Sequence, residues 1–182
     1  MTTDARTLQV NLERARPADA GDLALVAAAT FLETYAGALR AEDILHHCRT
    51  QHAPAAYEDW LADADCALWL ARVQPGNAPV GYMLASPPDV VIADPRPGDV
   101  EVKRLYLLHR FQGNGLGRRM MDTAAGWARS RGARRLLLGV YSKNEPALAF
   151  YRRVGFTVVG DRTFRVGDSE FYDYILGLEL PA

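Results

Sequence analysis

Hydrophobic and polar positions change their period several times along the chain, and each change marks an element. Apolar and polar residues alternate through "TLQVNLERA", residues 7–15, the two-residue period of a half-buried strand. The period lengthens in "RPADAGDLALVAAATFLETYAG", residues 16–37. Pro17 suits a first helical turn there, and Leu23, Val26, Ala27, Phe31 and Leu32 recur at helical spacing. Two further helices are predicted over 41–50 and 54–63. "CALWLARV" (66–73) and "VGYMLAS" (80–86) flank "QPGNAP" and predict a hairpin. Residues 86–99 carry Pro87, Pro88, Pro95 and Pro97, and predict a loop with one short extended piece in "VVIA".

A strand is predicted over 100–108. A helix follows over 115–132, with Leu116, Met120, Ala124 and Trp127 on one face and Gly132 as its stop. "RRLLLGVY" predicts a buried strand ending at Tyr141. "NEPALAFYRRVG" predicts a short helix with Asn144 as N-cap, Pro146 in its first turn and Gly155 past its end. Two strands, about 156–166 and 170–180, close the chain. The strand–helix–strand crossover over 100–140 requires one parallel pair, while the other pairs can be antiparallel. No repeat or low-complexity segment interrupts the 182 residues, and a single domain over 1–182 is expected.

Composition narrows the class. Hydrophobic residues are 49% and charged residues 24%, the balance of a soluble globular protein. The polar opening "MTTDARTLQV" lacks an apolar signal core, and "LALVAAATFL" is too short to span a bilayer, so a cytoplasmic protein without membrane contact is expected. Cys48 and Cys66 are too few for a disulfide framework. The net charge of −1 hides an asymmetry. Residues 1–66 hold 11 acids against 5 Lys/Arg, and residues 101–182 hold 8 against 14. Such a split describes either two solvated faces or a site that takes an anion on one side and a cation on the other. The basic residues are not interleaved with aromatics, so no nucleic-acid partner is expected. "HHCRTQH" offers His46, His47, Cys48 and His52, but their side chains project in different directions and predict no metal.

The candidate chemistry centres on "HRFQGNGLGRRMM", residues 109–121, which sets three glycines and three arginines at a helix start. A P-loop needs Lys and then Ser/Thr after its last glycine, whereas Gly117 is followed by Arg118 and Arg119. A dinucleotide fingerprint needs a third glycine where Arg118 stands, and an acid after the next strand, where Ser142 stands. A third cradle uses the same physics. Unpaired N–H groups of the first helical turn bind a pyrophosphate, glycine permits close approach, and arginine adds charge.

These residues resemble the acetyl-CoA-binding motif of the GNAT N-acetyltransferases, Gln/Arg-x-x-Gly-x-Gly/Ala after a strand, with Gln112, Gly115 and Gly117 at its fixed positions. "NEPALAFYRRVGF" resembles that family's second signature through Asn144, Ala147, Phe150, Tyr151, Gly155 and Phe156. "ERARPADAGDLALV" resembles its first strand and helix. The resemblance implies an α/β (α+β) GNAT fold: a mixed, mostly antiparallel sheet of about seven strands, flanked by helices and splayed between strands 4 and 5. It further implies acetyl-CoA as co-substrate, no metal, and a homodimer as the family's suggested assembly. The pyrophosphate would lie on Gln112, Gly113, Asn114, Gly115, Leu116, Gly117 and Arg118. The pantetheine arm would pair with Leu105, Tyr106 and Leu107 and meet Asn144, Ala147 and Phe150.

In this family an amine attacks the thioester directly, so three tasks remain: deprotonation of the ammonium, oxyanion stabilisation and protonation of the thiolate. Tyr151 matches the family's general acid. A backbone N–H near Leu107 would polarise the carbonyl. Glu101 resembles the glutamate base of some members, and others use water chains. The acceptor is a small-molecule amine or a peptide N-terminus. "TFLETYAG", "AEDILHH", "GVYSKNEPALAFY" and "FRVGDSEFYDYIL" are similar to the bacterial polyamine branch, with Glu33, Glu42 and Asp43 as polycation attractors and Glu33, Tyr35 and Tyr141 as substrate-binding residues. A ribosomal-protein-like N-terminal acetyltransferase, an aminoglycoside or amino-acid acceptor, and a non-catalytic CoA sensor are the alternatives.

Overall fold

The computed structural model describes residues 8–166 and 169–181, with side chains of 8–163 and 170–181. Thr7 of the predicted first strand and Gly167 and Asp168 of the tail motif lie outside them. Strand β1 (Val10–Arg14) leads through a 3-10 turn at Pro17–Asp19 into helix α1 (Ala20–Tyr35). Helices α2 (Ala41–Gln51) and α3 (Pro54–Ala62) follow. A hairpin comprises β2 (Ala67–Val73) and β3 (Ala78–Ser86), turning through Gly76 and Asn77, both at positive φ. Then come β4 (Val100–Leu107), α4 (Leu116–Ser130), β5 (Arg135–Tyr141), α5 (Glu145–Val154), β6 (Thr157–Val166) and β7 (Ser169–Glu179).

Among the described residues one sheet runs in the order β1-β2-β3-β4-β5-β7-β6, and its only parallel pair is β4 with β5. The fold class therefore matches the pattern-based expectation. Both faces of β2 and β3 are buried, so these strands are almost continuously apolar. Leu68, Leu70, Tyr82 and Leu84 pack beneath α1 and α3, while Trp69, Ala71, Met83 and Ala85 pack beneath α4 and α5. Each fully buried large side chain here contributes on the order of 1.5–3 kcal/mol.

One expectation changes. Leu32 is 53% exposed, although Leu23, Val26, Ala27 and Phe31 are buried. Nine residues at about 100° each turn Leu32 half a revolution from Leu23. "VVIA" adds no strand to the sheet, because the N–H groups of Asp89 and Val90 go to the Glu101 carboxylate, at 2.7 and 3.3 Å. Val90 and Ile92 instead cover Leu137, Ile175 and Val159. The loop is pinned further on, where buried Arg135 grips Asp99 at 2.6 and 3.0 Å.

The sheet opens at its centre. β4 and β5 pair only through Val100↔Leu136 and Glu101↔Leu137. Just beyond, the β3–β4 register skips Lys103, because Leu84 faces Arg104 while Ala85 faces Val102. An extra residue of this kind bends a strand. The rest of β4 therefore leaves β5, and the gap between them becomes a cleft.

Candidate active site

The cleft has a volume of about 990 Å³ and is lined from α1–α3, β4, β5, α4, α5 and β7. Backbone direction supplies its first chemistry. Leu108 N–H donates to Val80 O on β3. Peptide groups of successive strand residues point to opposite sides, so the N–H and C=O of Leu107 face the gap. Gln112 Nε2 takes that carbonyl at 2.9 Å, leaving the Leu107 N–H in the cleft.

The glycine turn lies at one end of the gap. Gly113 and Gly115 have φ of 79° and 77°, a left-handed conformation that costs an L side chain. Gly115 is the N-cap of α4 and no side chain caps this end. Arg119 N–H donates to Gly115 O, so the N–H groups of Leu116, Gly117 and Arg118 precede the first helical acceptor and point outward. A Cβ on Gly117 would stand 3.3 Å from Phe150, so a small residue here lets α4 and α5 approach. These features suit a pyrophosphate by hydrogen bonding and helix dipole alike.

Asn144 caps α5, its Oδ1 accepting from Ala147 N–H at 3.2 Å, and its amide stands at the cleft wall. Tyr151 packs with Phe150 and Phe156, with ring centroids at 5.1 and 5.6 Å, and lines the cleft while only 9% exposed. Burial, helped by the Tyr106 phenol, raises its pKa and keeps it protonated. Glu101 stands where the β4–β5 ladder ends, 2% exposed, with Oε2 bound to the Asp89 and Val90 N–H groups.

Leu105, Tyr106, Leu107, Gln112, Gly113, Gly115, Gly117, Arg118, Asn144, Ala147, Phe150, Tyr151 and Glu101 all line this one cleft, as do Tyr35 and Tyr141. Asn114 and Leu116 are not in its wall, and Glu33 departs further. The Glu33 carboxylate accepts from His109 N–H at 2.8 Å, outside the cleft. Glu42 is exposed and pairs with Arg40. Among the described residues, no acid of residues 1–66 lines the cleft. What the N-terminal third contributes is Phe31, Thr34, Tyr35, His47, Gln51, His52 and Trp60.

Three lining residues of weight were not singled out by sequence reasoning, and a fourth, His52, was weighed only as a metal ligand. Arg104 donates to Tyr57 Oη and Gln51 O. Arg162 meets Asp173 at 3.4 Å, and burial raises the Asp173 pKa while Arg162 opposes it. His52 is buried against Tyr57 and His47. Arg104 and Arg162 lie in no quoted motif, while Asp173 lies in the tail motif and His52 in "HHCRTQH", where neither was given a role in this cleft. Among the described residues no three His, Cys, Asp or Glu side chains converge on one point.

A splayed mixed sheet with a glycine turn at the helix beside the gap defines the acyl-CoA-dependent acetyltransferase class. Residues 32–156 match the model of the acetyltransferase (GNAT) family, and the chain belongs to that family. It is an N-acetyltransferase by that membership. It is 36% identical to an uncharacterized N-acetyltransferase of Mycobacterium tuberculosis over 162 residues, 89% of this chain and 98% of that one. It is also 39% identical to the streptothricin acetyltransferase of Streptomyces lavendulae over 71 residues, 38% of each chain. The PaiA N-acetyltransferase of Thermoplasma acidophilum, solved with coenzyme A, shares the fold at a TM-score of 0.74. Its identity is 20%, and the match covers 94% of this chain and 99% of that one.

Proposed function

We propose that the cleft transfers acetyl from acetyl-CoA to a primary amine by direct attack. One observation carries this reading: the gap between β4 and β5 runs from the uncapped N-terminus of α4, past the Leu107 N–H, to Tyr151 and Glu101. The N–H groups of 112–118 hold the pyrophosphate, with Arg118 adding charge from the rim. The edge at Leu105–Leu107 pairs with the pantetheine amides and the Asn144 amide donates to them. The amine lone pair attacks the thioester carbonyl, whose developing oxyanion takes the Leu107 N–H. As the C–S bond breaks, Tyr151 donates its proton to the sulfur. The ammonium proton leaves to Glu101, directly or through water.

The polyamine acceptor draws its support from the short motifs around Thr30–Gly37, Ala41–His47 and the tail. The positions of Glu33 and Glu42 outside the cleft lend it none. Thiol release from acetyl-CoA, measured over polyamines, amino acids, aminoglycosides and peptide N-termini, tests the function. A rate above hydrolysis for one amine class is the expected result. Uniform silence with intact CoA binding would leave the CoA-sensor alternative standing.

A further inference from the structure

The acceptor half of the cleft holds a cation without a counter-charge. Arg104 Nη1 donates to the Gln51 carbonyl at 3.3 Å and to Tyr57 Oη at 3.1 Å. Among the described residues no carboxylate pairs with it, whereas Lys103 has Asp89, Arg118 has Asp122 and Arg162 has Asp173. Arginine cannot shed its charge at any ordinary pH. Its remaining donors, Nε and Nη2, carry no hydrogen bond to the described residues, and the residue stands in the cleft wall.

A second, independent group points the same way. His52 is 5% exposed and its Nε2 is buried without a partner. Its Nδ1 stands 3.0 Å from Tyr57 Oη. Arg104 can only donate, so the Tyr57 oxygen accepts from it. In the tautomer in which Tyr57 donates to His52 Nδ1, the ring's own proton sits on Nε2. Burial, then Arg104 and His47, push the imidazole down to about 3, so it is neutral. His52 lines the cleft, and its buried Nε2 has no hydrogen-bond partner among the described residues. An unpartnered buried ring nitrogen is costly, and the free Nε and Nη2 donors of half-buried Arg104 in the same cleft wall suit an acceptor-only partner.

We propose that Arg104 and His52 form a carboxylate subsite, so that the acceptor is a small primary amine also bearing a carboxylate, of the amino-acid type. This rests on the acetyl-transfer reading above and gives it a substrate class. A flat two-oxygen anion matches the guanidinium fork plus one N–H. Phe31, Tyr35 and Trp60 offer an apolar wall for the rest of the molecule. A polyamine would set like charge against Arg104, and the polycation reading is correspondingly disfavoured.

The test compares matched pairs that differ by the carboxylate alone: phenylalanine with phenethylamine, leucine with isoamylamine, lysine with cadaverine, with spermidine alongside. Turnover is read by thiol release with acetyl-CoA, and binding by calorimetry on the CoA complex, where no transfer occurs. For at least one pair, kcat/KM for the acid is expected to exceed that of its decarboxylated partner by roughly 100-fold. Arg104→Gln brings that ratio to about one, Arg104→Lys leaves it intermediate, and His52→Phe lowers it by roughly 10-fold. CoA affinity and circular dichroism establish that the variants fold. If Arg104→Gln does not, Arg104→Lys and His52→Phe carry the comparison.

Decarboxylated amines or spermidine turned over as well as the acids would overturn the subsite and leave acetyl transfer standing. A ratio unmoved by Arg104 substitution overturns it equally. Amino acids bound in an Arg104-dependent way but never acetylated would uphold the subsite and refute acetyl transfer. No binding and no turnover would refute both.

Discussion

Tyr151 is kept protonated by its place between α5 and the sheet, with its ring against Phe150 and Phe156. A phenol with a raised pKa is a reluctant acid, so in the proposed role proximity to the departing thiolate must offset the uphill transfer. Tyr151→Phe keeps the ring packing and removes the hydroxyl that carries the proton. We expect kcat to fall by ~10²-fold or more with CoA affinity nearly unchanged. A steady-state profile over pH, beside calorimetry for CoA, checks it. An unchanged kcat across the profile would make the residue a packing element. The Asn144 cap and the inward place of Tyr151 were legible in the sequence because both are local: a cap three residues before its N–H, an aromatic on the inner face of one short helix. Arg104 and His52 were not, because their meaning arises only where β4 meets the ends of α2 and α3. No spacing within one segment encodes that meeting. Glu33 is the opposite case. Its charge suggested a role in attracting substrate, and the fold spends it on the His109 N–H.

At the scale of elements, the glycine turn shows how backbone conformation can be inferred before coordinates. Two glycines flanking Asn114 predicted a sharp turn into a helix, and both take positive φ. Gly115→Ala meets open space, with nothing within 4 Å of the added Cβ, so its cost is conformational. We expect about 1 kcal/mol of lost stability, a fall in Tm of roughly 2–4 °C, from an alanine forced to the left-handed region. The same methyl group stands where a pyrophosphate would approach, so KM for acetyl-CoA should rise roughly 10-fold, equivalent to ~1.4 kcal/mol. Thermal melts with and without CoA separate the two effects, and a lowered Tm with unaltered KM would remove the turn from the cofactor site. Periodicity located nearly every helix and strand, since α1, α4 and β2–β3 bury long faces. It gave "VVIA" as an extended piece of a loop, and there a carboxylate twelve residues away, not a neighbouring strand, takes the Asp89 N–H. Extended apolar residues and strand residues look alike until the partners of their N–H groups are known.

The whole molecule carries a pH dependence that begins in the same cleft. His47 stacks on Phe31, with ring centroids 4.1 Å apart, and its pKa is pushed down to about 4 by burial, then by Arg104 and His46. His52, likewise displaced to about 3, shares the site. In the unfolded chain both imidazoles titrate near 6.5. Between about pH 6.5 and 4 the unfolded state therefore binds more protons than the folded state, and stability rises with pH across that window. The contribution is complete above the unfolded value and is lost as pH falls through the folded one. Asp173 works in the reverse sense, because burial raises its pKa and lets the folded state take a proton first. Substituting one histidine isolates its share, since Asp173 is common to both proteins. His47→Phe, which retains an aromatic partner for Phe31, should show a smaller fall in Tm between pH 7 and 4.5 than the parent does. His52 supplies the slope that remains. Melts at matched ionic strength across that range check this, and parallel curves for the two proteins would show that His47 titrates alike in the folded and unfolded states. A carboxylate ligand at Arg104 should act on the same equilibrium. By neutralising the charge that depresses His47 and His52, it lifts both imidazoles toward their ordinary range and flattens the acid limb of the parent's curve.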